Sequence, residues 1–441
     1  MRFFPIRVNA ICRQNCSDKK GNICYKTYVE ILERELVPAM GCTEPIALAY
    51  CSAKARSVLG VLPDKVLVEV SGNIVKNVKS VIVPNSGGRR GIEAAAAVGI
   101  LAGREDLELE VLSKVTDEDI AGLGAYMEKV EITVEPLDTP YLLDMAVTAK
   151  KDGSRARVRI AQEHTNIIEI EKDGKILFEK QAGEEEDCDA PDYSLLTIEK
   201  IYDFADTADL EDVKAVLDRQ IAYNTAIAEE GLRGDYGANI GRVLMEEYGD
   251  RIENRAKAMA AAGSDARMNG CDLPVIINSG SGNQGMTASL PVIEYAKELK
   301  CSREKLYRAL LLSNLVTLHQ KTGIGRLSAY CGAVSAGAGA GAGIAYLEGG
   351  DLKVVAHTLV NALAITSGIV CDGAKASCAA KIAVAVDTGI LDYKMYKKGQ
   401  QFYGGDGLVA KGVENTIRNI GRLGKEGMKE TDKEIIRIMT E

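Results

Sequence analysis

Three cysteines, Cys331, Cys371 and Cys378, lie in segments that are poor in charge and rich in glycine, alanine and serine. Three thiols in such a setting can hold an iron–sulfur cluster and leave one iron without a protein ligand. An iron with an open position is a Lewis acid, so the pattern indicates chemistry. Two other interpretations stay open on spacing alone: a zinc ion with an open position, and three buried thiols in alanine-rich helices.

The spacing of Cys371 and Cys378 limits how they could share a cluster. On an unbroken helix, a separation of seven residues would place their Cα atoms about 10.5 Å apart, which is too far for a disulfide. Gly373 allows a loop to carry Cys371 and a following helix to carry Cys378. Cys331 must then come from another helix. The C-x₂-C core of many cluster motifs is absent from the sequence.

Cys42 is predicted to lie at the start of a helix. Thr43 is a suitable N-cap residue, and Pro45 suits the first turn that comes after it. The helix dipole and the free backbone N–H groups at such a position lower the pKa of a thiol. Cys42 therefore has the setting of a reactive thiolate.

A glycine-rich loop at residues 279–285 could bind an anion. Its glycines allow backbone N–H groups to turn inward, and Ser281, Asn283 and Gln284 add donors. A carboxylate would fit as well as a phosphate, and the Gly-Lys-Ser/Thr ending of a P-loop is missing. Arg267, just upstream of this loop, could bind a carboxylate through two hydrogen bonds from its planar guanidinium. A helix-capping turn and a surface ion pair are the structural alternatives for the loop and for Arg267.

The few histidines narrow the catalytic options. His164 and Thr165 come after a predicted strand, in a turn that can direct polar side chains at a ligand, although an ordinary turn histidine is the alternative. His319 and His357 fall on predicted helices and are interpreted as structural. The sequence lacks the G-x-S-x-G elbow of a serine hydrolase. It is not predicted to form a dinucleotide-binding fold.

Composition excludes several classes of partner. The 441 residues carry a formal net charge of −9 without a basic stripe, which argues against binding to nucleic acid or to an anionic membrane. Eleven cysteines in a long chain without a convincing signal peptide favour the reducing cytoplasm. Residues 327–347 are long enough to span a membrane, but glycine and alanine add little transfer energy, so a buried helix is predicted.

The pattern along the chain predicts an α+β fold. Residues 1–24 form an extension, residues 25–182 a mixed α/β domain with antiparallel strands, residues 183–194 an acidic linker, and residues 195–441 a largely helical domain with buried Gly/Ala-rich helices. Within the first domain, residues 65–83 are predicted as two strands separated by a turn at Ser71.

Seven motifs in one order resemble the L-cysteine desulfidase family, which is grouped with uncharacterised relatives of the α chain of bacterial iron–sulfur L-serine dehydratase. The resemblance runs from about Tyr25 to the C-terminus. The motifs are Gly41-Cys42-Thr43-Glu44-Pro45, Asn73-Ile74-Val75-Lys76-Asn77, Val83-Pro84, His164-Thr165-Asn166, Ser264-Asp265-Ala266-Arg267-Met268, Ser279-Gly280-Ser281-Gly282-Asn283-Gln284-Gly285, and the segment from Cys371 to Cys378.

The resemblance implies an oxygen-sensitive enzyme that uses a [4Fe–4S] cluster and no pyridoxal phosphate. It implies that Cys331, Cys371 and Cys378 hold the cluster and that Cys42 is catalytic, as the base or as a fourth ligand. The implied reaction converts L-cysteine to pyruvate, ammonia and hydrogen sulfide. The implied candidates for binding the amino-acid substrate are Lys76, Asn77, His164, Thr165, Arg267, Ser279, Ser281, Asn283 and Gln284.

Three rival hypotheses remain at this point. A dehydratase of L-serine or another hydroxy amino acid could use the same scaffold, with water as the leaving group. An iron–sulfur sensor or electron carrier would show reversible redox change and release no pyruvate. A metal-free binding protein would hold its thiols for structure alone. A homodimer is the expected assembly.

Overall fold

The computed structural model describes residues 23–180 and 191–441. Most of the predicted N-terminal extension, and residues 183–190 of the predicted acidic linker, lie outside the described residues. The first described half contains five α-helices and seven strands. They are α1 (Ile23–Glu35), β1 (Pro38–Met40), α2 (Thr43–Leu59), β2 (Lys65–Val70), α3 (Gly72–Val78), α4 (Gly91–Ala102), α5 (Asp117–Lys129), β3 (Glu131–Pro136), β4 (Asp144–Lys151), β5 (Ser154–Ala161), β6 (Ile167–Lys172) and β7 (Lys175–Glu179).

Six of these strands form one sheet in the order β3-β2-β4-β5-β6-β7. All neighbours are antiparallel except β2 and β3, which run parallel because the long crossover through α3, α4 and α5 separates them. Strand β5 alternates as its sequence predicts: Ala156, Val158 and Ile160 are buried, while the intervening arginines pair with carboxylates on the other face. The predicted mixed α/β fold with antiparallel strands is confirmed.

The prediction of a second strand within residues 65–83 is wrong. Helix α3 begins directly after Ser71, and Ile74 and Val78 are fully buried one helical turn apart. The β-branched residues of this stretch suit a strand by propensity, but tertiary packing of the Ile74 and Val78 face decides in favour of a helix. Lys76 and Asn77 therefore project from a helix.

The second half is helical apart from one short strand, as predicted. Its elements are α6 (Ile198–Thr207), α7 (Lys214–Arg233), α8 (Ile240–Tyr248), α9 (Ile252–Met268), β8 (Pro274–Ile276), α10 (Gly282–Glu298), α11 (Arg303–Ile324), α12 (Gly332–Leu347), α13 (Leu352–Thr366), α14 (Cys378–Lys397), α15 (Val413–Arg422) and α16 (Lys429–Thr440).

Helix α12 explains the Gly-Ala repeat in the sequence. A Cβ on Gly337 or Gly341 would lie within 2.6 Å of backbone atoms of α14, and one on Gly339 or Gly343 would collide with α11 or α10. Two pairs of glycines, each four residues apart, thus let neighbouring helices approach on two faces. The segment is a buried helix, as predicted, and none of the described helices is long and apolar enough to cross a membrane.

Several contacts join the sheet-containing half to the helical half, among them a strand pairing and a helix contact. Strand β1 pairs antiparallel with β8, which places the start of α2 beside the start of α10. Helix α16 returns to α3, where Asp432 Oδ1 lies 2.5 Å from Lys76 Nζ. The buried apolar residues of both halves belong to one contiguous cluster. The domain boundaries near residues 182 and 195 stay predictions.

Candidate active site

One cavity, about 840 Å³ including the solvent space at its mouth, lies between the sheet-containing half and the helical half. It brings together twelve of the thirteen site residues predicted from the sequence. They are Cys42, Lys76, Asn77, His164, Arg267, Ser279, Ser281, Asn283, Gln284, Cys331, Cys371 and Cys378. Thr165 does not line the cavity.

Four helix N-termini converge on this cavity. Cys42, Ser281 and Cys331 are the N-cap residues of α2, α10 and α12, and Cys378 is the first residue of α14. The helices have 17, 17, 16 and 20 residues, so each carries a full dipole with its positive end at the cavity. Free N–H groups at such ends bind anions. The cavity therefore favours a negatively charged occupant.

The thiols of the helical half are positioned by a short backbone pairing and a turn. Tyr330 and Val370 form an antiparallel bridge, Cys331 N donates to Ile369 O at 3.2 Å, and Cys371 N donates to Ala329 O at 2.6 Å. Between Cys371 and Cys378 the chain turns at Gly373, with φ of 93°. A Cβ there would lie 2.1 Å from the Lys76 carbonyl oxygen, so only glycine lets this loop rest on α3.

The three thiols of the cavity are the donor type that an iron–sulfur cluster uses. Among the described residues, no group of three His, Cys, Asp or Glu side chains is arranged to hold a metal ion. Cluster thiolates each bind a different iron and surround the cluster. Cys331, Cys371 and Cys378 are free thiols around one cavity, on separate backbone segments, as that arrangement needs.

Burial favours the protonated form of two of these thiols. It raises the pKa of Cys331 to about 12, with repulsion from Cys371 adding to the effect, and it raises the pKa of Cys378 as well. Burial also lowers the pKa of Lys321 to about 8, although the nearby thiols Cys371 and Cys331 oppose that shift. A cation bound beside Cys331 and Cys378 would favour their thiolate forms.

Glu44 is the centre of a hydrogen-bond network on the wall formed by α2 and α3. The Cys42 thiol and the Thr43 hydroxyl each donate to Glu44 Oε2 at 3.1 Å, and Asn77 Nδ2 donates to Oε1 at 3.2 Å. His164 Nε2 lies 4.0 Å from Oε1. Burial alone would raise the pKa of Glu44, but the contacts with His164 and Cys42 outweigh it and lower the pKa to about 2. Glu44 is therefore a carboxylate.

This network changes the expectation for Cys42. Its position at the helix N-terminus is confirmed, yet burial and the negative charge of Glu44 raise the pKa of its thiol well above the usual value. Desolvation exceeds the effect of the helix dipole at a buried site. Cys42 is held as a thiol whose hydrogen already has an acceptor.

Arg267 is a buried cation without a partner. Only 2% of the residue is exposed, and Nε and Nη2 make no hydrogen bond. A Cβ on Gly282 would lie 2.4 Å from Nε, so the first residue of α10 leaves room for the guanidinium. Oδ1 of Asn283 and Oε1 of Gln284 are also buried without partners. Arg267 is thus a cavity residue and not part of a surface ion pair.

Lys76 and the loop at residues 279–285 have defined partners. Lys76 Nζ is paired with Asp432 of α16, and Asn73 Nδ2 donates to the same carboxylate at 3.0 Å. The single proton of the Thr43 hydroxyl is shared between Glu44 Oε2 and Gly280 O, at 3.1 and 2.9 Å, and the contact with Gly280 holds the loop against α2. The ammonium of Lys76 is therefore already neutralised, in contrast to the guanidinium of Arg267.

Sequence reasoning missed several charged residues of the cavity. Glu44 lies inside one of the seven motifs, but no role was predicted for it. Lys321, Arg326 and Lys381 lie on the lining without any local motif, and Lys381 pairs with Asp372, which lies between Cys371 and Cys378 in the sequence. The only signal for Lys381 was its position one turn after Cys378 on the same helix.

Comparison with known proteins gives one family. A family model described as serine dehydratase alpha chain matches residues 106–437. A UPF0597 protein of Desulfitobacterium hafniense is 62% identical over 415 residues, which are 94% of this chain and 96% of the relative. UPF0597 proteins of Lachnoclostridium phytofermentans and Treponema denticola are 54% and 46% identical, over 94% of this chain and 99% and 98% of their own lengths.

Proposed function

Because the chain belongs to the serine dehydratase α-chain family, we propose that it is a lyase that removes the β-substituent of an α-amino acid. We propose L-cysteine as the substrate, with pyruvate, ammonia and hydrogen sulfide as products. The observation that carries the proposal is the cavity itself: three free thiols, the unpaired guanidinium of Arg267 and the Cys42–Glu44 pair all line it. The family is in general associated with iron–sulfur chemistry, which supports a cluster as cofactor.

Cys331, Cys371 and Cys378 would hold a [4Fe–4S] cluster. When bound, an open iron supplies a Lewis acid that withdraws charge from the departing sulfur or oxygen. The residues of the chain supply the rest without pyridoxal phosphate. The four helix N-termini and Lys381 offset the negative charge of the thiolates, and the buried walls exclude water from the leaving group.

Cys42 is proposed to act on the α-proton of the substrate. Elimination transfers the proton from Cα to a base, forms the Cα=Cβ bond and releases sulfide with the electron pair of the Cβ–S bond. The aminoacrylate then tautomerises, and water hydrolyses the imine to pyruvate and ammonia. Burial raises the pKa of Cys42, so its proton must first leave along the hydrogen bond to Glu44 Oε2, and the resulting thiolate is then a strong base for the α-proton. The alternative role of Cys42, as a fourth ligand in the resting state, stays open.

The second candidate is L-serine dehydratase, and the name of the matching family favours it. The two reactions differ only in the leaving group, so anaerobic assays with each amino acid separate them. We expect sulfide and pyruvate from L-cysteine and no turnover of L-serine. Pyruvate from L-serine alone would replace the first proposal by the second. Reversible reduction of a cluster without pyruvate from either amino acid would favour the sensor hypothesis.

Iron and acid-labile sulfide in anaerobically purified protein test the cofactor directly. We expect about four of each per chain, as a [4Fe–4S] cluster requires. The variant Cys42→Ala should keep the iron and lose most of the turnover. If this variant kept both the cluster and full activity, Cys42 would have no part in the mechanism. The cytoplasm is the proposed compartment, since such a cluster needs reduced thiols.

A further inference from the structure

The cavity contains two buried charges of opposite sign that do not pair with each other. Arg267 is 2% exposed and Glu44 is 8% exposed, and both line the same cavity. Among the described residues, no carboxylate lies within 4.0 Å of the Arg267 guanidinium, and no lysine or arginine lies within that distance of Glu44. Isolated charges in a protein interior are destabilising by several kcal/mol.

The side chains that hydrogen-bond to Glu44 are neutral donors, and His164 is the one basic side chain within 4.0 Å of it among the described residues. Cys42, Thr43 and Asn77 hydrogen-bond to it, and His164 Nε2 stands 4.0 Å away, itself buried and without a hydrogen-bond partner. Each carboxylate oxygen can accept about two hydrogen bonds, so Glu44 retains the capacity to accept from a cation. Lys76 also lines the cavity but is neutralised by Asp432.

We propose that Glu44 and Arg267 together recognise the two charged groups of a free α-amino acid, with Glu44 accepting the α-ammonium group and Arg267 donating to the α-carboxylate. This assignment rests on the proposed function and names the residues that select its substrate class. A zwitterion satisfies both buried charges at once, whereas an amine or an acid alone satisfies one and leaves the other unpaired. Peptides, whose amino acid units lack one of these charges, are excluded for the same reason.

The geometry of Glu44 also places the reacting carbon. Cys42 Sγ lies 3.1 Å from Glu44 Oε2, and the ammonium nitrogen of an amino acid is bonded directly to Cα. An ammonium group held by Glu44 would place the bonded Cα in the part of the cavity that contains the Cys42 thiol. Glu44 thus orients the substrate for the proposed base in addition to neutralising its charge.

Three small ligands that differ by one charged group test this assignment. L-alanine is a zwitterion without a leaving group, propionate lacks the ammonium group, and ethylamine lacks the carboxylate. We would measure their dissociation constants by calorimetry with the anaerobic, cluster-loaded protein. The wild-type chain should bind L-alanine at least about tenfold more tightly than either truncated ligand, as one lost hydrogen bond to a charged group implies. Equal affinity for L-alanine and propionate would overturn the inference without any variant.

Two variants then separate the roles. Glu44→Gln should weaken the binding of L-alanine by about tenfold or more and leave the dissociation constant of propionate unchanged. Arg267→Gln should weaken the binding of L-alanine to a similar extent and leave the dissociation constant of ethylamine unchanged. Glu294→Gln, which removes a buried carboxylate paired with Arg255 on the far part of α10, is the matched control and should alter none of the three constants. Equal weakening of L-alanine and propionate by Glu44→Gln would indicate a structural role and contradict the assignment.

Binding and turnover can fail independently. L-alanine cannot be eliminated, so the expected binding pattern without pyruvate from L-cysteine or L-serine would support amino-acid recognition and remove the lyase proposal. If the protein formed pyruvate but bound L-alanine and propionate equally well, the lyase proposal would stand. The roles of Glu44 and Arg267 would then be wrong.

Discussion

The two walls of the cavity differ in how their polar groups are satisfied. On the wall from the sheet-containing half, Cys42, Thr43 and Asn77 donate to Glu44, and Lys76 is paired with Asp432. On the wall from the helical half, the guanidinium of Arg267 and the side-chain oxygens of Asn283 and Gln284 lack partners. The first wall has one such group, Nε2 of His164. Buried polar groups are normally hydrogen-bonded, so exceptions concentrated at one wall indicate where a ligand belongs. On the first wall the polar side chains are already positioned by hydrogen bonds within the protein. On the second wall they would gain their hydrogen bonds from a bound ligand.

The largest effect should come from the thiols of the second wall. Cys331→Ser should remove most of the iron and lower activity by more than the roughly 10- to 100-fold that loss of an outer-shell partner costs, because a cluster ligand itself is removed. Iron analysis and anaerobic product assays measure both. Cys301→Ser, at a partly buried thiol outside the cavity, should change neither quantity. If the wild type and Cys331→Ser contained the same amount of iron per chain, the proposed difference between the two walls would be wrong.

A smaller effect should come from filling the space that Arg267 uses. In Gly282→Ala the new Cβ would lie 2.4 Å from Arg267 Nε and 2.5 Å from Val275 Cγ2, so the guanidinium must shift. We expect KM to rise roughly 10- to 100-fold, the equivalent of one hydrogen bond to a charged group. Gly122→Ala in α5 has no atom within 4 Å of its Cβ and is the control. An unchanged KM in Gly282→Ala would argue against Arg267 as the carboxylate site.

The smallest effect on activity should come from an unpartnered carboxylate that does not line the cavity. Asp392 on α14 is fully buried, both of its oxygens lack partners, and burial raises its pKa to about 8. The folded chain then holds a proton that the unfolded chain releases near pH 4, so stability falls as pH rises between about 4 and 8. We expect Asp392→Asn to have a higher melting temperature than the wild type at pH 8. Its free energy of unfolding should be higher by an amount on the order of a few kcal/mol.

The stability gain of Asp392→Asn should be smaller at pH 5. At that pH the free energy needed to protonate the wild-type carboxyl on folding is smaller, because the pH is closer to the pKa of the unfolded chain. Melting curves at both pH values measure this, and turnover should stay within about twofold. The exposed carboxylate Asp387 on the same helix is paired with Lys257, and Asp387→Asn serves as the control without a gain at pH 8. A loss of activity in Asp392→Asn would show that unpartnered groups away from the cavity matter for catalysis too.

The sequence predicts the helical half of the site better than the other half. The glycine at position 373 and the spacing of Cys371 and Cys378 led to a loop and then a helix, and the chain has both. For α3, local propensity pointed to a strand, because the burial of Ile74 and Val78 against the core is a tertiary effect. Local patterns record turns and caps well and long-range packing poorly.

Charged partners distant in sequence were beyond prediction for the same reason. The pairing of Lys76 with Asp432 joins positions 356 residues apart, and nothing near either residue signals the other. The raised pKa of Cys42 results from complete burial beside Glu44, whereas the sequence showed only a helix N-terminus. A sequence shows which chemical groups are present and how they are spaced. It does not show their protonation states, because these depend on neighbours that only the fold brings together.

The hydrogen bond from Thr43 to Gly280 O has a consequence for how the protein is made. Its two residues are 237 positions apart, and the pairing of β1 with β8 spans a similar distance. A ribosome adds about 5–20 residues per second, so the N-terminal wall waits on the order of ten seconds or more for its partner. The proposed cluster ligands, Cys331, Cys371 and Cys378, emerge later still. Insertion of the proposed cluster would therefore be a late event in biogenesis, because all three thiols must first leave the ribosome.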